Sequence, residues 1–404
     1  MKVLQINHSY KYGGSTGRIV YELQELSENL KIDSYVAFGY DFNNVKGKNL
    51  FKICSIPQMQ ISKLQTRFFG EHGFYNTKET YELIKHIKRI KPDVIHLHNL
   101  HNHYLNSQIL FDYIKEEDIP IVWTLHDCWS FTGWCAYFDY ANCSKWESEC
   151  NECPSLKDYP FTWFFDKSKP NFYRKKKAFT EVKNLIIVTP SIWLSEVVKR
   201  SFLSDYPVKV INNGIDLNIF SPKLNNSLRQ RHNLIGKKVI LSVASEFDRR
   251  KGLDFLVKLP EFLEEDEVLL LVGLKSNQKK LFSNRKCICI ERTESVKELA
   301  EYYSLADVFL NTTLEDNFPT TNLEALACGT PVITFDSGGS IEAVDNYTGK
   351  IVAKGDLTGL LDAKSQILEK GKEAYINNCR ERAEIFFNKD IQYSKYIDLY
   401  RSLV

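Results

Sequence analysis

This sequence predicts an α/β fold made of two successive Rossmann-like domains, each a parallel sheet with crossover helices. Three observations carry the prediction. Short apolar runs alternate with amphipathic stretches from end to end, which is the pattern of repeated βαβ units. The runs fall into two sets, separated by a turn-rich stretch near residues 201–235. The chain has 404 residues, too many for one ordinary domain and suited to two.

The elements follow in order. Strands are expected in the first set at 3–6, 34–38, 94–97, 121–125 and 186–188, and in the second at 239–244, 268–272, 287–290, 308–310, 332–335 and 351–352. Between them, stretches such as 79–90, 194–201 and 296–305 space their apolar residues as helices do. At the junction, Asn213-Gly214 dictates a turn and Pro222 stops regular structure. In the tail 391–403, Tyr393, Tyr396, Ile397 and Tyr400 share one helical face, so burial is expected of them.

Composition sets further bounds. A hydrophobic content of 43% allows full cores and excludes a disordered chain. A net charge of +2 gives no reason to expect a nucleic-acid partner. No apolar run approaches the roughly 18 residues of a spanning helix. The start, Met1-Lys2-Val3-Leu4-Gln5-Ile6, is too short an apolar stretch for a signal peptide. It reads as a first strand, and a cytoplasmic location is expected. Ten cysteines in that compartment point to metal binding or buried thiols rather than a disulfide framework.

The most informative stretch is Glu315-Asp316-Asn317-Phe318-Pro319-Thr320-Thr321-Asn322-Leu323-Glu324-Ala325-Leu326-Ala327-Cys328-Gly329-Thr330-Pro331-Val332. An expected strand ends just before it, and a helix through Leu323 and Ala327 stops at Gly329. An acid loop therefore sits at the carboxyl end of a strand, with a second acid inside the next helix. Open α/β sheets bind ligands at that edge. A helix start near Pro319 to Thr321 turns free N–H groups toward an anion. One carboxylate on each side of a bound phosphate can hold a ribose and a sugar, as a nucleotide-sugar site requires.

This stretch resembles the acidic signature of the retaining GT-B glycosyltransferases of glycosyltransferase family 4. There two acids flank seven residues, and the second heads a Glu-Ala-x-Ala-x-Gly-x-Pro-Val run. Asp316 and Glu324 have that spacing, although the family usually places Glu at the first position. Glu315 is the alternative first acid. Ile211-Asn212-Asn213-Gly214-Ile215-Asp216 with Phe220-Ser221-Pro222 is similar to the family's linker signature. The resemblance implies a GT-B fold whose last helix crosses back onto the first domain. The expected domains are then 1–205 with 386–404, and 206–385.

Further motifs extend the resemblance. After the first strand comes Tyr12-Gly13-Gly14-Ser15-Thr16-Gly17. Its glycines let backbone approach a ligand, but it lacks the Gly-x-Gly-x-x-Gly spacing of a dinucleotide turn. In the family such a Gly-Gly loop contacts the donor diphosphate. Arg249-Arg250-Lys251-Gly252 resembles the element whose Arg and Lys bind the diphosphate. Lys251 matches in position, and Arg250 or Arg249 stands in for the displaced arginine. Cations there would stabilise a departing diphosphate. His126 ends the strand 121–125 and matches a family His that hydrogen-bonds the donor sugar, with Asp127 as an alternative acid. The run His96, His98, His101, His103 reads as cleft-lining rather than metal-binding. Thr293 lies where loop contacts to the base are expected.

The resemblance implies roles. Glu324 would hold the ribose hydroxyls and Asp316 the sugar hydroxyls. The backbone of Asn317, Phe318, Pro319, Thr320 and Thr321 would meet the sugar and diphosphate. Gly13, Gly14 and His126 would approach from the other domain. Transfer from a UDP or GDP sugar to a hydroxyl acceptor, with retention, would need no cofactor. The departing phosphate would take the acceptor proton, and domain closure would exclude water. A GT-B epimerase acting on the donor alone is the alternative; a nicotinamide oxidoreductase is disfavoured by the missing glycine turn.

Two features lie outside that scheme. Cys135, Cys143, Cys150 and Cys153 fall in one insert, and Cys150-x-x-Cys153 has a zinc-knuckle spacing. A structural zinc and merely buried or paired thiols both remain open. A similar insert occurs in a polysaccharide-assembly subset of the family, which suggests a glycan or lipid-linked acceptor. Beyond the insert, Phe161, Trp163, Phe164, Phe165, Phe172 and Tyr173 mix with Lys167, Lys169, Arg174, Lys175, Lys176 and Lys177. That mixture suits either peripheral contact with an anionic membrane or an aromatic cluster beside a solvated basic helix start.

Overall fold

A computed structural model describes residues 1–12, 14–40, 45–223, 226–282 and 286–404. The chain divides into two units: Met1–Ile211 with Tyr393–Val404, and Asn212–Gln392.

The first unit is a wholly parallel sheet of seven strands: β1 (Lys2–Asn7), β2 (Asp33–Phe38), β3 (Leu50–Lys52), β4 (Val94–Leu97), β5 (Ile121–Thr124), β6 (Leu185–Thr189) and β7 (Val208–Val210). Their order is β3-β2-β1-β4-β5-β6-β7. The helices are α1 (Gly14–Asn29), α2 (Ile56–Phe69), α3 (Thr77–Ile90), α4 (Ser107–Glu116), α5 (Ser168–Phe179) and α6 (Ile192–Lys199). Strand side chains alternate between two buried faces. Leu4, Ile6, Ile95, Leu97, Ile121 and Trp123 pack into one core. Val3, Val94 and Val122 pack into another, with Ile19 and Leu23 of α1 and Tyr393, Tyr396, Ile397 and Tyr400 from the end of the chain. The tail tyrosines are thus buried as expected. β3 and β7 are absent from the expected runs: both are short edge strands of mixed, half-exposed residues.

The second unit carries six parallel strands: β8 (Lys238–Val243), β9 (Glu267–Val272), β10 (Cys287–Ile290), β11 (Val308–Asn311), β12 (Val332–Phe335) and β13 (Gly349–Val352). Their order is β10-β9-β8-β11-β12-β13. Helices α7 (Asn226–Arg231), α8 (Leu253–Lys258), α9 (Val296–Leu305), α10 (Thr320–Ala327), α11 (Leu357–Lys370) and α12 (Ile376–Phe386) belong to it, and α13 (Lys389–Arg401) begins in it. The linker motif is anchored here. Lys389 Nζ donates to Asp216 at 2.7 Å, and a Cβ on Gly214 would meet the Lys389 Cα at 2.4 Å.

In each sheet the strand order reverses beside the first strand of the unit, between β1 and β4 and between β8 and β11. Loops leaving the carboxyl ends of such a pair diverge and open a crevice for ligands.

Candidate functional site

The switch point of the second unit gathers the acid and cation segments. The loop after β8 carries Arg249 to Gly252, and the loop after β11 carries Thr312 to Pro319. Their backbones are zipped together. The Leu314 N–H donates to the Arg250 carbonyl at 2.8 Å, and Arg250 Nη1 donates to the Glu315 carbonyl at 2.9 Å. Thr312 Oγ1 donates to the Lys251 carbonyl at 3.0 Å. This close approach requires glycine at 252: its φ is +73°, and a Cβ there would lie 2.0 Å from the Thr312 carbonyl oxygen.

That zipper sets Lys251 Nζ on Asp316 Oδ2 at 2.5 Å, with side-chain exposures of 19% and 16%. Burial pushes the Asp316 carboxyl up. Lys251, Arg250 and the Phe318 N–H outweigh it and leave the group below the usual carboxylate range. Behind the pair, the Asp316 carbonyl accepts the Gly339 N–H at 3.1 Å. A Cβ on Gly338, at φ +54°, would come within 2.0 Å of that carbonyl oxygen.

The other acid, Glu324, is buried in α10, where its Oε2 accepts the Tyr303 hydroxyl at 2.9 Å. Pro319 caps α10 without a side-chain hydrogen bond, and Thr320 and Thr321 form its first turn, half-exposed. Asn317 and Phe318 are buried; the Phe318 ring packs on Phe387, and its carbonyl accepts from Asn213 Nδ2 at 3.3 Å. Thr293 follows β10, two strands from β8, and among the described residues no hydrogen bond ties it to either loop.

Several residues that hold this loop escape a sequence reading. Asn311 Nδ2 donates to Asn322 Oδ1 at 2.8 Å, and Asn322 Nδ2 to the Ser340 carbonyl at 3.1 Å. Ser337 Oγ donates to the Thr313 carbonyl at 2.8 Å. The available signal is an asparagine closing an apolar strand and another inside an apolar helix, both positions that demand partners when buried.

In the first unit, His126 follows β5. Its Nε2 lies 3.1 Å from His98 Nδ1, and the two rings stack at 5.4 Å. Desolvation, only partly opposed by Asp127, takes the His126 imidazole down to about 4. His8 and His103 fall to about 3, and His72, His96 and His98 well below 6.5, burial being the leading cause throughout. These imidazoles are neutral at pH 7. His96 is bonded to the Tyr400 hydroxyl at 2.6 Å and to Thr124 at 2.8 Å. A second chain was not expected: Asp127 Oδ2 meets His101 Nε2 at 2.6 Å, and His101 Nδ1 meets the Tyr159 hydroxyl at 2.8 Å. Gly14 opens α1 at φ +82°. Gly13 lies outside the described residues.

The cysteines of the insert, Cys135, Cys143, Cys150 and Cys153, lie in the first unit. All four are free, and among the described residues no group of three or more His, Cys, Asp or Glu is placed to hold a metal ion. Instead the Cys135 and Cys153 thiols hydrogen-bond each other, and Cys150 Sγ accepts the Gly133 N–H at 3.2 Å. Lys175 lies buried nearby, donating to the Trp129 and Thr132 carbonyls at 2.6 and 3.0 Å. Burial brings its ammonium down to about 7, against the pull of Cys135, Cys150, Asp127 and Cys153. Among the described residues, no helix is long and apolar enough to cross a membrane.

Comparison with known proteins bears on the family and the fold. Residues 55–219 match the model of Glycosyltransferase Family 4, and residues 237–370 match that of Glycosyl transferases group 1. A protein of Escherichia coli K12 described as a colanic acid biosynthesis glycosyl transferase, WcaC, is 25% identical over 100% of both chains. D-inositol 3-phosphate glycosyltransferase of Pseudarthrobacter chlorophenolicus is 29% identical over 41% of this chain and 43% of its own. Among solved structures, Anabaena Alr3699/HepE in complex with UDP superposes with a TM-score of 0.68 at 15% identity, covering 100% of both chains.

Proposed function

We propose, for a chain that belongs to the glycosyltransferases through its family 4 and group 1 domains and folds as a GT-B protein, that it moves a sugar from a nucleoside-diphosphate donor to a hydroxyl acceptor with retention. The observation that carries this reading is the Lys251–Asp316 pair at the switch point, beside the start of α10. In the absence of donor the cation and the acid neutralise each other. An arriving diphosphate takes Lys251 from Asp316 and meets the first N–H groups of α10. Asp316 is then released to accept hydrogen bonds from the sugar hydroxyls. Glu324, held by Tyr303, accepts from the ribose.

As the glycosidic bond to the β-phosphate breaks, negative charge grows on the diphosphate, where Lys251 and the α10 amides oppose it. With His126 held neutral by burial and no nucleophile assigned, the departing phosphate oxygen takes the acceptor proton. The new bond then forms on the face the diphosphate leaves. HepE structures with UDP and with UDP-glucose support a UDP sugar as first candidate, with a GDP sugar second. Similarity to WcaC supports a place in bacterial polysaccharide synthesis, and the acceptor of this reading is a glycan or a lipid-linked glycan.

The test is a thermal-shift panel of UDP, GDP and their sugars, followed by NMR of the product anomer. A specific donor should raise the melting temperature by mass action and the product should keep the donor's anomeric configuration. No response to any nucleotide would refute donor binding; an inverted product would refute the mechanism.

A further inference from the structure

Helix α2 is firmly fixed at both ends. Ser55 and Gln58 form a reciprocal capping box, and Gly70, at φ +70°, closes the helix by donating to the Thr66 carbonyl. Its inner face buries Met59, Ser62 and Thr66. Its outer face presents Ile61, Leu64 and Phe68, spaced as one helical stripe and 57%, 48% and 44% exposed. Apolar residues facing out and two hydroxyls facing in invert the usual surface helix.

The loop after the cysteine insert continues this face. The Trp163 N–H donates to the Arg67 carbonyl at 2.8 Å, and the Trp163 ring meets Phe68 edge-on at 4.7 Å. Phe164 lies 5.8 Å from Phe68, and Phe164 and Phe165 are 68% and 51% exposed. Single exposed apolar residues need no explanation, but a contiguous set does. Cations border it: Lys63 and Arg67 on α2, and exposed Lys167 after the loop. The Arg67 guanidinium sits 5.7 Å from the Trp163 ring centre. The loop's own acid, Asp166, accepts the backbone N–H groups of Cys153 and Ser168, both at 2.8 Å.

We propose that this face docks on an anionic bilayer, with the α2 stripe and the Phe164-Phe165 tip entering the headgroup boundary and Lys63, Arg67 and Lys167 meeting lipid phosphates. Charge favours this occupant over a second copy of the chain, since a two-fold contact would set the same cations against each other. Membrane docking does not depend on the sugar chemistry. It bears on the proposed acceptor because Thr66, on the inner face of α2, meets His103 Nδ1 at 3.2 Å, and His103 follows β4 at the sheet's ligand edge. A lipid-carried acceptor in that bilayer would then lie one helix diameter, ~10 Å, from His103.

The experiment is co-sedimentation of the full chain with vesicles of phosphatidylcholine alone and of phosphatidylcholine with phosphatidylglycerol. The wild type should sediment with the anionic vesicles and be released by salt. Each basic side chain near such a surface contributes about fivefold in partition. Lys63→Glu with Lys167→Glu should therefore weaken binding by at least ~20-fold. Phe164→Ser with Phe165→Ser should weaken it by at least ~10-fold. Both double variants should keep the wild-type melting temperature and nucleotide response, which separates this proposal from the transferase reading. Equal sedimentation of wild type and variants, or no sedimentation of the wild type, would overturn it. So would a wild-type dimer that the phenylalanine variant dissociates, since a second copy would then own the face.

Discussion

Lys251→Met and Asp316→Asn should shift nucleotide affinity in opposite directions. In the resting protein Lys251 Nζ holds Asp316 Oδ2 at 2.5 Å, both largely buried. Two unit charges at that separation and an effective dielectric near 20 attract by about 7 kcal/mol before desolvation, which is a ceiling on the pair. A hydrogen bond to a charged group contributes about 1.5–3 kcal/mol net. A diphosphate must exchange one such contact for another. Lys251→Met removes the new partner and leaves the Asp316 carboxylate facing the phosphates, so the dissociation constant for the nucleoside diphosphate should rise by roughly 10- to 150-fold. Asp316→Asn keeps the shape but frees the cation in advance. Nucleoside diphosphate should then bind as well as in the wild type or up to roughly tenfold tighter, while sugar transfer falls. Isothermal titration with UDP and GDP reads the first quantity and a transfer assay the second. A marked loss of nucleotide affinity in Asp316→Asn, or unchanged affinity in Lys251→Met, would refute the exchange.

Other outcomes follow from the same structure. The first unit should be acid-labile: the buried histidines bind protons only when unfolded, so their contribution is complete above about pH 6.5 and is lost as pH falls below it. The loss is about 1.4 kcal/mol per pH unit for each such histidine, and urea titrations at pH 7, 6 and 5.5 should show it; a flat profile would contradict their burial as neutral rings. Gly338→Ala should lower the melting temperature and abolish the nucleotide response, because a Cβ at φ +54° pushes on the Asp316 carbonyl and the conformation alone costs about 1–2 kcal/mol. Tyr303→Phe should destabilise the second unit by about 1–3 kcal/mol by stripping a donor from buried Glu324; it should also raise the donor KM, and a wild-type KM would detach Glu324 from the ribose.

Where an apolar run and its partners lie close together, the sequence was legible. The interior strands β4 and β12 and the helix α9 stand at the expected residues, since buried parallel strands need little context. Edge strands β3 and β7 hide because their pairing comes from β2 and β6, not from their own residues. Site chemistry divides the same way. Asp316, Glu324 and Lys251 are visible as residue types at a spacing, but the zipper joining Arg250 to Leu314 and Glu315 spans two strands and leaves no local pattern. It also assigns a Nη1 hydrogen bond of Arg250 to a carbonyl, which a charge run read alone would direct at the diphosphate. The surroundings of the cysteines were likewise illegible: spacing describes reach along the chain, whereas the Gly133 N–H on Cys150 and the buried Lys175, held by the Trp129 and Thr132 carbonyls, come from elsewhere in the sequence.

The departure at position 316 takes on a physical sense in that light. A glutamate there would reach one methylene further from a loop that the Arg250 hydrogen bonds and Gly339 already fix. Aspartate on the same backbone closes on Lys251 at 2.5 Å without further extension. The shorter acid and the displaced arginine therefore belong to one arrangement, in which Lys251 is the cation poised between carboxylate and phosphate. Asp316→Glu tests this: a longer acid can follow Lys251 toward the diphosphate and compete with it. Nucleotide affinity should fall while the fold is retained, the reverse of Asp316→Asn. Equal affinities for the glutamate and asparagine variants would mean that reach at this position does not matter.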